Sequence, residues 1–214
     1  MKYKYILFDL DGTITESGPG IMNSVEYALN KMNREVGERD ILKKFIGPPL
    51  TESMEKYYGM SEEEALLGVK YYREYYHDKG IYENRVYDGL EEVLKKINEA
   101  GKQAIVATSK PEKYAKIIID HFHLTQYFAC VAGMEMDGGR GTKAQVITYA
   151  LEKNDITDKS KVLMIGDREH DVIGAHENGL DCLSILYGFG SRKEFEEAGA
   201  DYIRENVEDI LQFV

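Results

Sequence analysis

The sequence contains no tryptophan, only 4 prolines and only 2 cysteines. Cys130 and Cys182 lie far apart in apolar runs. That argues against a disulfide framework and for core thiols in a reducing compartment. Proline-rich linkers are excluded, and neither a low-complexity tract nor an internal repeat is present. No stretch approaches the roughly 20 apolar residues that a membrane span needs. The segment Met1-Lys2-Tyr3-Lys4-Tyr5 runs straight into a strand-like stretch and lacks a signal-peptide cleavage pattern, so a cytoplasmic location is expected. Basic residues are also in short supply. Lys and Arg number 27 against 38 Asp and Glu, a formal charge of −11. Nucleic-acid binders need a basic face to displace counterions, and anionic membranes attract basic segments, so neither partner is expected. A small anionic substrate stays open, because local charge can oppose net charge.

What is present is an ordinary globular composition, 43% hydrophobic and 30% charged over 214 residues. A chain of this size can bury about 70% of its unfolded surface. Short apolar runs at 5–8, 103–107, 129–132, 162–165 and 182–186 are bounded by turn residues, each followed by a helical pattern. Strand–helix alternation predicts βαβ units and a mostly parallel, Rossmann-like sheet, and runs apolar throughout predict helices on both faces. One gap breaks the rhythm. From about 18 to 84 the patterns are helical, with stripes at Ile21, Val25, Ala28, Leu29, Met32 and at Leu66, Val69, Tyr72, Tyr76. Gly47-Pro48-Pro49 interrupts them. The expected organisation is an α/β core of 1–15 and 85–214 carrying a small all-helical cap of 16–84.

Four segments carry chemistry. Phe8-Asp9-Leu10-Asp11-Gly12-Thr13 ends the first strand, where open α/β sheets bind ligands. Two carboxylates there can act as nucleophile and acid/base, and Gly12 lets backbone N–H groups turn toward a phosphate. Read alone, Asp-Gly is a turn dipeptide. Gly166-Asp167-Arg168-Glu169-His170-Asp171 follows the strand at 162–165. Its carboxylates suit Mg²⁺ if they meet the first pair, or else cap a helix running to Asn178. Thr108-Ser109-Lys110-Pro111 offers a hydroxyl for a phosphoryl oxygen or a helix cap. Lys143, in Gly138-Gly139-Arg140-Gly141-Thr142-Lys143, can balance clustered carboxylate and phosphate charge; alone it would be a solvated lysine.

Together and in this order, these segments resemble the haloacid dehalogenase (HAD) superfamily of phosphohydrolases over nearly the whole chain. Asp9-x-Asp11-Gly12-Thr13 matches the first motif, Thr108 the second, Lys143 the third and Gly166-Asp167-x-x-x-Asp171 the fourth. The resemblance implies a phosphatase in which Asp9 attacks phosphorus to form a phosphoaspartate. Asp11 protonates the leaving oxygen and then activates water. Mg²⁺ is held by Asp9, the Asp11 backbone carbonyl and Asp167. Asp11, Gly12, Thr108, Ser109 and Lys143 surround the phosphoryl group, and Asp171 supports from behind. Lys110 is a rival for the third-motif lysine but lies too close to Thr108.

A helical insert directly after the first motif is similar to the phosphoglycolate-phosphatase-like branch, as are 15–21 and 46–50. Glu16 stands where many relatives have Asp, and Arg140-Gly141-Thr142-Lys143 replaces the common Lys-Pro-x-Pro pattern. That variant resembles 5′-nucleotidase members. The expected substrate is therefore a small phosphorylated metabolite, a nucleoside 5′-monophosphate or phosphoglycolate. A phosphomutase of the β-phosphoglucomutase type and a non-enzymatic receiver-like domain are the alternatives. Asp11 and the insert speak against the receiver. A monomer is expected, with a dimer as the alternative. The clustered Tyr71, Tyr72, Tyr75 and Tyr76 read as core packing with exposed rims, and His121-x-His123 as a helix end.

Overall fold

The computed structural model describes residues 2–136 and 139–214, so Gly138 of the lysine segment lies outside them. In chain order the elements are β1 (Tyr5–Phe8), β2 (Thr15–Glu16), α1 (Gly18–Lys31), α2 (Leu50–Tyr58), α3 (Glu62–Asp78), β3 (Arg85–Val86), α4 (Leu90–Glu99), β4 (Gln103–Pro111), α5 (Glu112–His121), β5 (Phe128–Met134), α6 (Lys143–Lys153), β6 (Val162–Gly166), α7 (Glu169–Glu177), β7 (Asp181–Ile185), α8 (Arg192–Ala198) and β8 (Tyr202–Arg204). The chain divides into two units, Met1–Thr15 with Val86–Val214, and Glu16–Arg85.

The first unit holds a six-stranded sheet of order β5-β4-β1-β6-β7-β8 in which every pair is parallel. The apolar runs form these strands because both faces are covered. Ile6, Leu7 and Phe8 of β1, Ala104, Ile105 and Val106 of β4, and Leu163, Met164 and Ile165 of β6 are all fully buried. Leu7, Ile105, Ala107, Met164 and Cys182 face one cluster with Val146, Ile147, Ala150 and Leu151 of α6 and Val172 and Ala175 of α7. Strand order moves outward from β1 through β4 to β5, then reverses to β6. Right-handed crossovers therefore place α4 and α5 on the face opposite α6 and α7. The reversal point is β1, whose register sets Phe8 beside Val106 and Ile165. The residues that follow these three positions emerge together at the sheet's carboxyl edge.

The second unit is helical. Helix α3 packs on α1 and α2 through buried Ala65, Gly68, Val69, Tyr72 and Tyr76. Tyr72 and Tyr76 stack at 5.3 Å, while Tyr71 and Tyr75 are half-buried, as packing with exposed rims requires. Ser61 opens α3 with a capping box: its side chain accepts from Glu64 N–H and Glu64 accepts from Ser61 N–H. At Gly20 a Cβ would stand 1.9 Å from the Gly80 carbonyl oxygen, so only glycine lets α1 pass so close to the turn after α3.

Two local expectations shift. Strand β4 runs on to Pro111, beyond the apolar run that ends at 107. Consequently Thr108 is a strand residue whose Oγ1 accepts from Lys110 N–H at 3.2 Å, and the cap position of α5 is Pro111, with no side-chain bond. Helix α5 ends at His121, and His123 takes a left-handed backbone (φ 56°), a helix end as read from the sequence.

Candidate active site

Asp9 leaves β1 with its N–H donating to the Ile165 carbonyl at 2.9 Å, which fixes it against the end of β6. Lys143, the first residue of α6, reaches back under the sheet edge. Its Nζ donates to Asp9 Oδ1 at 2.6 Å and to the Ala107 carbonyl at 2.9 Å, and lies 2.7 Å from Asp171 Oδ1. An ammonium has three protons and here meets three acceptors. Lys143 is 5% exposed, so the solvated alternative fails. Burial would lower its pKa, but Asp171 and Asp9 override that and hold it above the usual lysine value.

Asp171 does two jobs. Oδ1 faces Lys143, while Oδ2 accepts from the N–H groups of Asp167 and Arg168, each at 3.1 Å, at the start of α7. The helix-capping reading and the site reading of this residue are both realised. Asp167, fully buried, accepts from Thr13 Oγ1 at 3.3 Å on Oδ1 and from Phe189 N–H at 2.8 Å on Oδ2. Burial raises its pKa well above the carboxylate range, and Asp171 and Asp9 add to the rise. Burial also raises Asp171; Asp9 adds to the rise and Lys143 opposes it.

Two glycines make room for these acids. Gly12 has φ +84° and a Cβ there would lie 2.1 Å from Asp167 Oδ2, so this position needs both the left-handed backbone and the empty volume. A Cβ on Gly166 would lie 2.1 Å from Asp171 Oδ2. Each motif's glycine thus accommodates a carboxylate of the fourth motif.

Ligand oxygens of Asp9, Asp167 and Asp171 lie within 4.8 Å of one another. When all three are ionised, these buried carboxylates face one ammonium with an excess of two negative charges. Such an excess is costly in a buried site, and a hard divalent cation such as Mg²⁺ fits the charge and the donor chemistry. Asp11 stands beside them, its Oδ2 2.6 Å from Lys110 Nζ. Thr108, 1% exposed, and half-buried Ser109 lie on the end of β4.

Sequence reasoning missed three parts of this site. Lys110 is buried and paired with Asp11, though the residues are 99 apart in sequence. The loop after β7 lays Phe189 N–H on Asp167 and Tyr187 OH on the Thr13 carbonyl at 3.0 Å. Asn178, 7% exposed, donates to the Ala144 and Gly174 carbonyls at 3.0 and 2.9 Å, tying α7 to the turn that carries Lys143. Asn178 marks the expected helix end in the sequence; a backbone N–H such as Phe189's has no side-chain signature.

Comparison with known proteins places this geometry. A family model described as haloacid dehalogenase-like hydrolase matches residues 6–185. A protein of Pseudomonas aeruginosa named 5′-nucleotidase is 41% identical over 194 residues, covering 91% of this chain and 87% of that one. A Mycobacterium tuberculosis protein named tyrosine-protein kinase PtkA is 38% identical over 186 residues, 86% of this chain but 62% of that one. The crystal structure of a predicted phosphatase from Clostridium acetobutylicum superposes with a TM-score of 0.94 at 46% identity, covering 99% of this chain and 98% of that one.

Proposed function

Because the chain belongs to the haloacid dehalogenase-like hydrolase family and is an enzyme of its phosphatase class, we propose that it hydrolyses a small soluble phosphomonoester through an aspartyl-phosphate on Asp9. The observation that carries this reading is the buried cluster in which Lys143 holds Asp9 at 2.6 Å beside Asp167 and Asp171. Lys143 fixes the Asp9 carboxylate and, with Thr108, Ser109 and the Gly12 backbone, binds the phosphoryl oxygens. Asp11 gives a proton to the leaving oxygen and later takes one from the attacking water. Asp9, the Asp11 carbonyl and Asp167 would hold Mg²⁺, which when bound supplies positive charge against the phosphoryl oxygens. Asp171 has both oxygens engaged, so it orients Lys143 and supports the metal ligands from behind.

The helical insert Glu16–Arg85, a unit of its own, is the part of the chain assigned to substrate specificity. The protein works in the cytoplasm as a monomer. Among the described residues no helix is long and apolar enough to cross a membrane. The 41% identity to a protein named 5′-nucleotidase and the Arg140-Gly141-Thr142-Lys143 variant support a nucleoside 5′-monophosphate as substrate over phosphoglycolate. The test is phosphate release from p-nitrophenyl phosphate with and without Mg²⁺, beside an Asp9→Asn control, followed by a panel of nucleoside monophosphates, phosphoglycolate, sugar phosphates and phosphotyrosine. No release above the control would sink the hydrolase reading. Equal turnover of phosphoglycolate would sink the nucleotide preference.

The similarity to a protein named tyrosine-protein kinase favours a second reading, phosphoryl transfer to a tyrosine hydroxyl. Incubation with ATP and Mg²⁺, followed by detection of phosphotyrosine, separates the two.

A further inference from the structure

We propose that Arg140 is a positioning residue that clamps the strand end carrying Thr108 to the turn carrying Lys143, so that the two segments hold the phosphoryl group as one rigid cradle. This rests on the reading of Thr108 and Lys143 as phosphoryl-binding groups. Lys143 is followed by Ala144-Gln145-Val146, with no proline to fix the backbone. What fixes this turn lies before the lysine. Gln145 Oε1 accepts from the N–H groups of Gly141 and Thr142 at 2.8 and 3.2 Å, and Thr142 Oγ1 accepts from Gln145 N–H at 3.2 Å. That box orders the turn locally. Arg140 ties it to the neighbouring strands.

The Arg140 side chain is 19% exposed. Its Nε donates to the Gly133 carbonyl at 3.2 Å, one terminal nitrogen donates to Glu135 at 2.5 Å and the other to Glu112 at 3.1 Å. The guanidinium carbon lies 3.8 Å from the ring centre of Tyr149, on the helix α6 that Lys143 begins. Two of these partners adjoin Thr108. Gly133 is its register partner across β4 and β5, and Glu112 opens α5 directly after β4 ends. The strands meet closely here, since a Cβ on Gly133 would lie 2.6 Å from the Lys110 carbonyl oxygen and 2.7 Å from the Glu112 nitrogen. A planar fork can hold acceptors on several sides while its face packs on a ring, which a lysine ammonium cannot do. Arg140 is thus committed to protein partners and acts on the reaction through the groups it places. A displacement of about 1 Å at such groups can cost about 100-fold in rate.

Arg140→Met, Arg140→Lys and Glu112→Gln test this, assayed well below their melting temperatures on p-nitrophenyl phosphate and a nucleoside 5′-monophosphate. Arg140→Met should lower kcat about 10- to 100-fold with KM within about threefold. The factor should be the same for both esters, because the phosphoryl group is common to them. Arg140→Lys should recover less than about threefold. In the Glu112→Gln background, Arg140→Met should cost at least about threefold less than it does alone. A loss confined to one ester, full recovery by lysine, or independent losses at 140 and 112 would overturn the clamp. Amide hydrogen exchange reads it without turnover. In Arg140→Met, protection should fall together in 109–112 and 141–145, and a fall in one segment alone would also overturn the proposal. If wild type released no phosphate above the Asp9→Asn control, the proposed function would fail, and the exchange result would still decide for or against the clamp.

Discussion

Replacing Lys143 by methionine keeps the length of the side chain and removes its charge. The wild-type ammonium meets Asp9 Oδ1 at 2.6 Å, Asp171 Oδ1 at 2.7 Å and the Ala107 carbonyl at 2.9 Å. Without it, three buried carboxylates remain with ligand oxygens within 4.8 Å of one another and no adjacent cation. At an effective dielectric of about 20, each such pair repels by about 3.5 kcal/mol. Breaking a buried ion pair from one side typically costs about 3–5 kcal/mol, a figure of the same size. For a chain of this length that is a fall of about 6–20 °C in thermal midpoint.

The pH dependence has a definite sign. Asp167 and Asp171 have folded pKa values raised above their unfolded ones. Their stabilising contribution is complete below about pH 4 and is lost as pH rises through the folded values. Lys143 is raised as well, so its contribution is constant below about pH 10. Metal-free wild type should therefore lose stability as pH rises from about 4, and Lys143→Met should lose more, so the deficit widens toward pH 8. Urea unfolding in chelator across this range measures it. A deficit below about 1 kcal/mol at pH 8, or one independent of pH, would refute the charge argument.

Asp167→Asn should do the opposite, stabilising the metal-free protein at pH 8 by about 1–3 kcal/mol while abolishing the rise in melting temperature on adding Mg²⁺; melting curves with and without the ion check both. Gly12→Ala places a methyl 2.1 Å from Asp167 Oδ2 at a φ of +84°. It should reduce stability by about 1–3 kcal/mol and Mn²⁺ affinity with it, read by denaturation and by electron paramagnetic resonance. Ser61→Ala removes the cap of α3. It should cost about 0.5–2 kcal/mol in the urea transition and leave turnover of p-nitrophenyl phosphate within about twofold.

The central strands were legible because a sheet covered on both faces demands unbroken apolar runs, and Ile6, Leu7 and Phe8 satisfy that on sequence alone. Strand β8 was not, because Tyr202, Ile203 and Arg204 are half-buried at the edge of the sheet and too few to show a pattern. The acids of the site were legible as strand-end residues, since strand ends and ligand sites coincide in this architecture. What stayed hidden depends on pairing across long sequence distances. In the sequence Lys110 reads as a rival for the third-motif lysine lying too close to Thr108; nothing there points to Asp11, 2.6 Å away in the fold. The double use of Asp171, as helix cap and as lysine partner, could only appear once α6 and α7 were side by side.

The position of β1 at the centre of the sheet has a consequence for synthesis. Tyr5 pairs with Gln103 on one side and with Val162 on the other. At about 5–20 residues per second, a ribosome finishes the second neighbour about 10–30 s after β1 has been made. Through that interval a segment whose Ile6, Leu7 and Phe8 are fully buried in the folded protein lacks at least one native neighbour. The same placement that gathers the acids at one edge makes this strand an obvious client for a chaperone that shields emerging chains.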